Sequence, residues 1–184
     1  MIKKKTRRNS EEFSFEHKNL KHKDQRIGIF VDAQNMYHSA RNLYQARVNF
    51  KEVLGIAVSD RVLIRAITYV IKTESGEEKS FFEAMKKLGF EIKEKDLQIF
   101  AGGQKKADWD VGLAVDTIKL ADKLDAIVIV SGDGDYEPLV EYLKINKGCR
   151  VETVAFGEST SSKLIDVADE FTDLSKDKKR FLIK

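Results

Sequence analysis

The chain has few of the residues and segments that are typical of secreted, zinc-binding or membrane proteins. Its 184 residues include one cysteine, Cys149, which excludes an intramolecular disulfide and is typical of a reducing compartment. Cys149 enters a predicted strand, so we interpret it as a buried thiol rather than a nucleophile. Neither a run of about 18 apolar residues nor a signal peptide is visible. We therefore expect a cytoplasmic protein without a membrane segment.

Histidine is also scarce, and several common enzyme motifs are missing. Of three histidines only His38 lies outside the basic N-terminus, and we expect it on a helix surface, so a zinc site is not predicted. Neither a P-loop nor a dinucleotide-binding glycine motif occurs. Pro138 stands where an EF-hand loop starting at Asp133 needs glycine. A haloacid-dehalogenase phosphatase would need aspartate at Gln34, and a Ser-His-Asp hydrolase would need a nucleophile elbow.

The positive charge is concentrated at the N-terminus. Residues 1–25 carry eight Lys or Arg against four acidic residues, whereas residues 26–184 carry 25 basic and 26 acidic residues. Such an arm can bind phosphate backbones through counterion release, or it can be a solvated extension, and both interpretations stay open. We expect a basic arm over residues 1–25, one domain over 26–174, and a charged, frayed tail over 175–184.

Strands and helices alternate along the domain, which is typical of a parallel α/β sheet. We expect about five strands, because five short apolar or alternating segments occur. The predicted strands are Ile27–Val31, Val62–Ile71, Phe90–Ile99, Ala126–Val130 and Arg150–Ala155. The predicted helices cover about residues 33–46, 50–57 and 77–88, a segment that opens within Lys105–Asp116 and runs to about Leu124, a segment that begins near Pro138, and 162–168.

Carboxylates follow two of these strands. Asp133 and Asp135 come directly after Ala126–Val130, and Asp32 ends Ile27–Val31. Ligand sites in open α/β sheets lie beyond the carboxyl ends of the strands. Acids clustered there repel one another unless a cation or a shared proton stabilises them. The pattern indicates a divalent-metal site, and the alternative is an ordinary turn that caps the next helix.

A third acidic segment opens a predicted helix. Asp108 and Asp110 lie at its start, where capping is the alternative explanation, and Asp116 lies within it. Asp116 is about 120° further round the helix than Asp110, so both can reach one metal only if Asp110 precedes the regular helix. Hard carboxylate oxygens would suit Mg²⁺ or Mn²⁺.

Three segments together resemble the signature blocks of NYN domains, and of their LabA-like branch in particular. They are Phe30-Val-Asp-Ala-Gln-Asn35, Lys106-Ala-Asp-Trp-Asp-Val-Gly-Leu-Ala-Val-Asp116 and Val130-Ser-Gly-Asp-Gly-Asp-Tyr-Glu-Pro-Leu-Val140. The resemblance covers about Arg26 to Asp173. It implies a Rossmann-like, PIN-like α/β/α fold of three layers, an aspartate cluster that binds Mg²⁺ or Mn²⁺, and nuclease action on RNA.

The resemblance also assigns roles to individual residues. The residues that match the family's acids are Asp32, Asp110, Asp116, Asp133 and Asp135, and Asn35 matches its amide. We expect catalysis at Asp32, Asp110, Asp133 and Asp135, with metal binding at these four and at Asp108 and Asp116. Candidate RNA contacts are Asn35, Ser131, the cations Lys105 and Lys106, and the aromatic rings of Trp109 and Tyr136, which could stack on bases or belong to the core.

These observations predict a metal-dependent ribonuclease that cleaves single-stranded RNA and leaves a 5′-phosphate. The alternative is a non-catalytic RNA-binding or regulatory module on the same fold. Clustered carboxylates favour the enzyme, because a binding module gains nothing from their repulsion. The sequence leaves the oligomeric state open, with a homodimer as one option.

Overall fold

A computed structural model describes residues 21–72, 78–96, 98–99, 105–106 and 108–184, with backbone alone at 98–99 and 105–106. The helices in these ranges are α1 (Ala33–Tyr44), α2 (Phe50–Val58), α3 (Lys79–Lys87), α4 (Asp110–Ala121), α5 (Glu137–Lys147), α6 (Ser162–Val167) and α7 (Lys178–Phe181). The strands are β1 (Arg26–Asp32), β2 (Arg47–Val48), β3 (Val62–Lys72), β4 (Glu91–Asp96), β5 (Gln98–Ile99), β6 (Lys105–Lys106), β7 (Ala126–Val130), β8 (Arg150–Ala155), β9 (Glu170–Asp173) and β10 (Leu182–Ile183). None of these helices is long and apolar enough to cross a membrane.

Six strands form one parallel sheet in the order β4-β3-β1-β7-β8-β9. The prediction of a parallel α/β fold is therefore confirmed. The expected number of about five strands is one too low, because β9 was not predicted. This edge strand has only four residues, with an acid at each end, and all four are half-buried. So short a segment carries no clear alternating pattern.

Helices cover both faces of the sheet, so the fold has three layers. Ile27, Ile29 and Val31 of β1 belong to one core with buried residues of α1 and α2. Phe30 points to the other face and belongs to a second core with buried residues of α4, α5 and α6. The opposite orientations follow from the period of two along a strand. Full burial of each such side chain stabilises the fold by about 1.5–3 kcal/mol.

Two of the differences between predicted and observed boundaries have a clear physical cause. The first helix ends at Tyr44 rather than Ala46, because Gln45 adopts a left-handed backbone with φ of 51°. The predicted strand Phe90–Ile99 is divided into two parts. Glu91–Asp96 joins the main sheet, whereas Gln98–Ile99 pairs antiparallel with β6. An alternating pattern cannot reveal such a change of pairing partner.

The C-terminal segment, residues 174–184, is folded, which contradicts the expected frayed tail. It forms α7 and then β10, which pairs antiparallel with β2. Phe181 is only 3% exposed and belongs to the core beneath α1 and α2. The charged sequence Lys176-Asp-Lys-Lys-Arg180 concealed this packing, because the buried residues Leu174 and Phe181 lie on either side of it.

The sheet brings two strand ends together where its strand order reverses. From β1 the chain proceeds to β3 and β4 on one side, and β7, β8 and β9 lie on the other side. Val31 of β1 is in register with Val130 of β7, so Asp32 and Ser131 leave the sheet as neighbours. Such a switch point is where open α/β sheets bind their ligands.

Candidate active site

Asp32 joins the end of β1 to the start of α1. Its Oδ1 accepts a hydrogen bond of 3.0 Å from the backbone N–H of Asn35, so it caps the helix. The side-chain Oδ1 of Asn35 accepts a hydrogen bond of 3.0 Å from the backbone N–H of Gly132. This bond ties the loop after β7 to α1. Asp32 is 8% exposed, which makes it a nearly buried carboxylate.

The loop after β7 is held by its own side chains. Ser131 Oγ accepts a hydrogen bond of 3.2 Å from the N–H of Asp133, and Asp133 Oδ1 accepts one of 3.0 Å from the N–H of Asp135. A Cβ atom on Gly132 would lie 2.9 Å from Thr160 Oγ1, so only glycine allows this close approach. Ser131 is fully buried, so the structure does not support the predicted RNA contact by its side chain.

The start of α4 supplies another acid and an aromatic wall. Asp110 is the first residue of the helix. The indole N–H of Trp109 donates a hydrogen bond of 2.8 Å to the carbonyl of Val70, and its ring packs against Tyr69 with centroids 5.4 Å apart. A Cβ on Gly112 would lie 2.5 Å from the Trp109 ring, so glycine makes room for the indole. Trp109 is therefore fixed in position.

Tyr136 connects two acids that the sequence places on different elements. Its hydroxyl oxygen lies 3.3 Å from Asp32 Oδ2 and 3.0 Å from Asp110 Oδ1. A phenol has one proton and can donate to only one carboxylate at a time. The second close contact therefore favours a proton on one of the carboxyl groups. The predicted stacking of Tyr136 on a base is wrong, because the residue is 1% exposed.

These elements enclose a cleft of about 350 Å³ at the carboxyl edge of the sheet. Three of the four predicted catalytic acids contribute to its wall, as do Asp108, Asn35 and Trp109. The complete lining is Asp32, Gln34, Asn35, His38, Ser39, Asn42, Leu43, Asp108, Trp109, Asp110, Asp133 and Ser159. The cleft therefore combines an acidic end with a long polar wall formed by α1.

Burial and repulsion raise the pKa of two of the cleft acids. For Asp32 burial is the main cause; the hydrogen bond from Asn35 opposes it, and the negative charge of Asp110 adds to it. For Asp110 burial is again the main cause, and the charges of Asp133 and Asp108 contribute to the raised pKa. Ionising both groups together therefore costs free energy, which a bound cation would offset.

The donor atoms suit a hard divalent cation in their chemistry. Asp32, Asp110 and Asp133 present carboxylate oxygens to one cleft, and such oxygens are the usual ligands of Mg²⁺ and Mn²⁺. Within the described residues, no group of three or more His, Cys, Asp or Glu side chains is arranged to hold one ion. At least one of the three side chains would have to rotate to complete a coordination sphere.

Four predicted site residues with described side chains do not line the cleft: Ser131, Tyr136, Asp116 and Asp135. Asp116 accepts a hydrogen bond of 3.1 Å from the Tyr69 hydroxyl and lies 3.6 Å from Lys93 Nζ. Asp110 belongs to the regular helix, so the condition for Asp116 to share its metal is not met. Asp135 is exposed and does not belong to the lining, and the side chains of Lys105 and Lys106 lie outside the described residues.

One face of α1 is a part of the cleft that sequence reasoning missed. Gln34, His38 and Asn42 are spaced four residues apart and line the cleft together with Ser39. This polar stripe at helical spacing was the available signal. His38 is exposed as expected for a helix surface, and that surface is the wall of the cleft.

The environment of Asp116 leads to a test that separates it from the cleft acids. We expect Asp116→Ala to destabilise the fold by about 1–3 kcal/mol, because the buried hydroxyl of Tyr69 loses its acceptor. We expect any RNA cleavage activity to persist in the folded variant. Urea unfolding and a cleavage assay on the same preparation would check both points. A complete loss of activity with unchanged stability would return Asp116 to the catalytic site.

Comparison with known proteins agrees with this architecture. The NYN domain family matches residues 26–175. The chain is 25% identical over 161 residues to the low amplitude and bright protein LabA of Synechococcus elongatus, a match that covers 82% of this chain and 84% of LabA. It also superposes on the crystal structure of a protein of unknown function from Vibrio parahaemolyticus with a TM-score of 0.80 and 30% identity. That match covers 89% of this chain and 99% of the Vibrio protein. The chain therefore belongs to the NYN domain family, in its LabA-like branch.

Proposed function

We propose that the protein is a metal-dependent ribonuclease that hydrolyses phosphodiester bonds of single-stranded RNA and leaves a 5′-phosphate. NYN domains are PIN-like nucleases as a family, which is the general basis for the proposal. The observation that carries it is the convergence of Asp32, Asp110 and Asp133 on one cleft at the switch point of the sheet. The raised pKa values of Asp32 and Asp110 indicate a place that favours a cation.

The proposed roles follow from the position of each side chain. Asp32, Asp110 and Asp133 would hold Mg²⁺ or Mn²⁺, with Asp108 beside them at the mouth of α4. A bound ion would neutralise charge on the phosphate and favour ionisation of an attacking water. Asn35 keeps the two strand ends at a fixed separation through its bond to the loop after β7.

Other residues of the cleft suit an RNA strand. Trp109 lines the cleft and is half-buried, so the part of its ring that faces the cleft is proposed to stack on an unpaired base, an interaction worth about 1–3 kcal/mol. Gln34, Ser39 and Asn42 offer hydrogen bonds to ribose or phosphate oxygens along α1. Asp135 remains a proposed contributor from the family resemblance, and Lys105 and Lys106 remain proposed contributors because they directly precede the acidic segment.

A non-catalytic RNA-binding or regulatory module is the second candidate. One observation favours it: in the part of the chain that the structure describes, no group of acids is arranged to hold a metal ion. The Tyr136 hydroxyl contacts both Asp32 and Asp110, and it could stabilise these acids by sharing protons without any ion.

A cleavage assay separates the two candidates. Purified protein should cleave labelled single-stranded RNA in the presence of Mn²⁺ or Mg²⁺ and should be inactive in EDTA. The products should carry a 5′-phosphate, which a 5′-phosphate-dependent exonuclease detects. Asp133→Asn should abolish cleavage but preserve RNA binding in EDTA. RNA binding without cleavage in the wild type, under every metal condition, would leave the regulatory module as the function.

The basic arm gives a further prediction. Lys21, near its end, lies 2.7 Å from Glu170 and 3.4 Å from Glu152, at the edge where the strands begin. The preceding twenty residues can span at most about 70 Å, which is enough to reach the opposite edge. Deleting residues 1–20 should weaken RNA binding at low salt and reduce the slope of log K against log salt by about 0.7 per lost phosphate contact. An unchanged slope would identify the arm as a solvated extension.

A further inference from the structure

The C-terminal segment, residues 174–184, is positively charged, whereas the rest of the domain has a net negative charge. It has five cationic side chains and one acid, whereas residues 26–173 have 20 basic and 25 acidic residues. Two of the cations are in ion pairs: Lys178 bonds to Glu158 at 2.8 Å, and Arg180 bonds to Glu52 at 2.7 Å. Lys176, Lys179 and Lys184 are exposed and have no ion pair within the described residues.

The topology places this segment at the same edge of the sheet as the cleft. It begins directly after β9, and all six strands of the sheet are parallel. The carboxyl end of β9 therefore shares an edge with the ends of β1 and β7, which supply Asp32 and Asp133. The start of the C-terminal segment and the acidic end of the cleft lie on one side of the molecule.

Direct contacts then connect the segment to the wall of the cleft. Ser159 lines the cleft and lies 2.9 Å from Ser39 of α1, oxygen to oxygen. The preceding residue, Glu158, accepts a hydrogen bond from Lys178 of α7. Lys178 Nζ also lies 4.4 Å from the ring centroid of Tyr44, the last residue of α1. The cationic segment thus adjoins the end of the cleft that is formed by the C-terminal half of α1.

The strand β2 enlarges this cationic area. Arg47 is exposed and is in register with Ile183 of β10, the residue before Lys184. Arg41 is exposed one helical turn before the end of α1 and has no ion pair within the described residues. We define the basic surface as Arg41, Arg47, Lys176, Lys179 and Lys184.

We infer that the basic surface binds the phosphate backbone of the RNA strand whose scissile phosphate lies at the acids of the cleft. This inference rests on the proposed function and deepens it. An acidic centre repels a polyanion, so the strand needs cations next to the cleft to hold it there. Lysine and arginine side chains that are free of acidic partners can release counterions from phosphates without first breaking an ion pair. The contacts are to phosphates, so they add affinity without sequence preference.

The test uses a charge-removal variant and a matched control in the full chain. The variant is Lys176→Gln, Lys179→Gln and Lys184→Gln combined. The control is Lys87→Gln, Lys119→Gln and Lys123→Gln combined, which removes the same charge from exposed positions. Lys87 and Lys123 lie shortly before β4 and β7, at the edge where strands begin and far from the cleft. Circular dichroism would confirm that both proteins are folded.

Binding of labelled single-stranded RNA is measured in EDTA over a range of salt, so the result does not depend on cleavage. If all three contacts are made, the variant should lose about 2 from the slope of log K against log salt, and about tenfold or more in affinity at about 50 mM salt. The control should behave as the wild type. The cleavage rate at saturating RNA should be the same in all three proteins.

Several results would overturn the inference. The inference is wrong if the slope of log K against log salt is the same for the variant and the wild type. It is also wrong if the control loses as much slope and affinity as the variant, or if the wild type does not bind RNA at low salt. If the variant loses binding to polyglutamate but keeps its RNA affinity, the surface serves an acidic polypeptide and the inference is wrong. The wild type could bind RNA and the variant show the reduced slope, while none of the three proteins cleaves RNA. In that case the basic surface binds RNA as inferred, and the proposed nuclease activity is wrong.

Discussion

Replacing Asp32 by asparagine should abolish RNA cleavage and leave the metal-free fold at least as stable as the wild type. The expected loss of activity is at least about 10²-fold, since a carboxylate that would hold the ion becomes a neutral amide. Asparagine caps helices as well as aspartate does, so the bond from the N–H of Asn35 can be retained. The substitution therefore removes charge without removing the cap.

The hydrogen bonds around Tyr136 should improve in this variant. In the wild type the single hydroxyl proton of Tyr136 can be donated to only one of the Asp32 and Asp110 carboxyl groups. An asparagine side-chain N–H can donate to the Tyr136 oxygen, and the Tyr136 hydroxyl can then donate to Asp110. All three groups would be satisfied with one negative charge fewer. We therefore expect equal or greater resistance to urea in EDTA.

The pH dependence of stability gives an independent reading of the same site. Burial raises the pKa of Asp32 in the folded protein above its value in the unfolded chain. The protonated carboxyl is thus favoured by the fold, so its stabilising contribution is complete below about pH 4 and is lost as the pH rises through the folded pKa. Urea unfolding in EDTA, from about pH 4 to about pH 8, should show a smaller loss of stability for Asp32→Asn.

Glu141→Gln is the matched control, because Glu141 is exposed on α5 and outside the cleft. It should change neither cleavage nor the pH profile. A large loss of stability in Asp32→Asn, with cleavage retained, would show that Asp32 is chiefly a structural cap. Loss of both would show that the capping and catalytic roles cannot be separated by this substitution.

The sequence predicted the strands that carry the site residues better than it predicted the contacts between their side chains. Buried strands ending in Asp32 and followed by Asp133 were visible as apolar runs, and the parallel sheet then required their ends to share an edge. The role of Tyr136 was not visible. Tyr136 is buried because its side chain lies between Asp32 and Asp110, which are 104 and 26 residues away in the sequence. No local sequence pattern indicates contacts over such separations.

The predictions for Asp116 and for the C-terminal segment failed for the same reason. Asp116 and Asp110 share one helix, and only the observed helix start shows that they point in different directions. The C-terminal segment was predicted to be frayed because of its charges. It is folded because Phe181 is buried and β10 pairs with β2. Where a long-range contact overrides composition, sequence patterns fail for a definite physical reason.

Replacing Glu152 by glutamine should destabilise the fold by about 3–5 kcal/mol, far from the cleft. Glu152 is 3% exposed and receives two hydrogen bonds, of 2.8 and 2.9 Å, from the guanidinium of Arg61. The Arg61 side chain is fully buried and is also bonded to the carbonyls of Ala57 and Val58. Glutamine keeps the shape but leaves this buried positive charge without its partner. Total stabilities of about 5–15 kcal/mol make the loss substantial.

The pH dependence of this effect has the opposite sign to that of Asp32. Burial alone would raise the pKa of Glu152, but hydrogen bonds from Arg61 and Arg150 outweigh it and lower the pKa. The stability that Glu152 contributes is therefore present above its unfolded pKa, about 4.3, and is lost as the pH falls through the folded value. The difference in urea resistance between wild type and Glu152→Gln should shrink at acidic pH.

Glu91→Gln provides the comparison for an exposed ion pair. Glu91 pairs with Arg65 at the surface, with both side chains more than a third exposed, so its replacement should cost no more than about 1 kcal/mol. A second variant, Arg61→Met with Glu152→Met, should recover much of the stability lost in Glu152→Gln, because it removes both buried charges together. If Glu152→Gln costs no more than Glu91→Gln, the buried pair is not what holds β8 to the start of β3. Because none of these residues lies in the cleft, RNA cleavage by the folded fraction of each variant should equal that of the wild type.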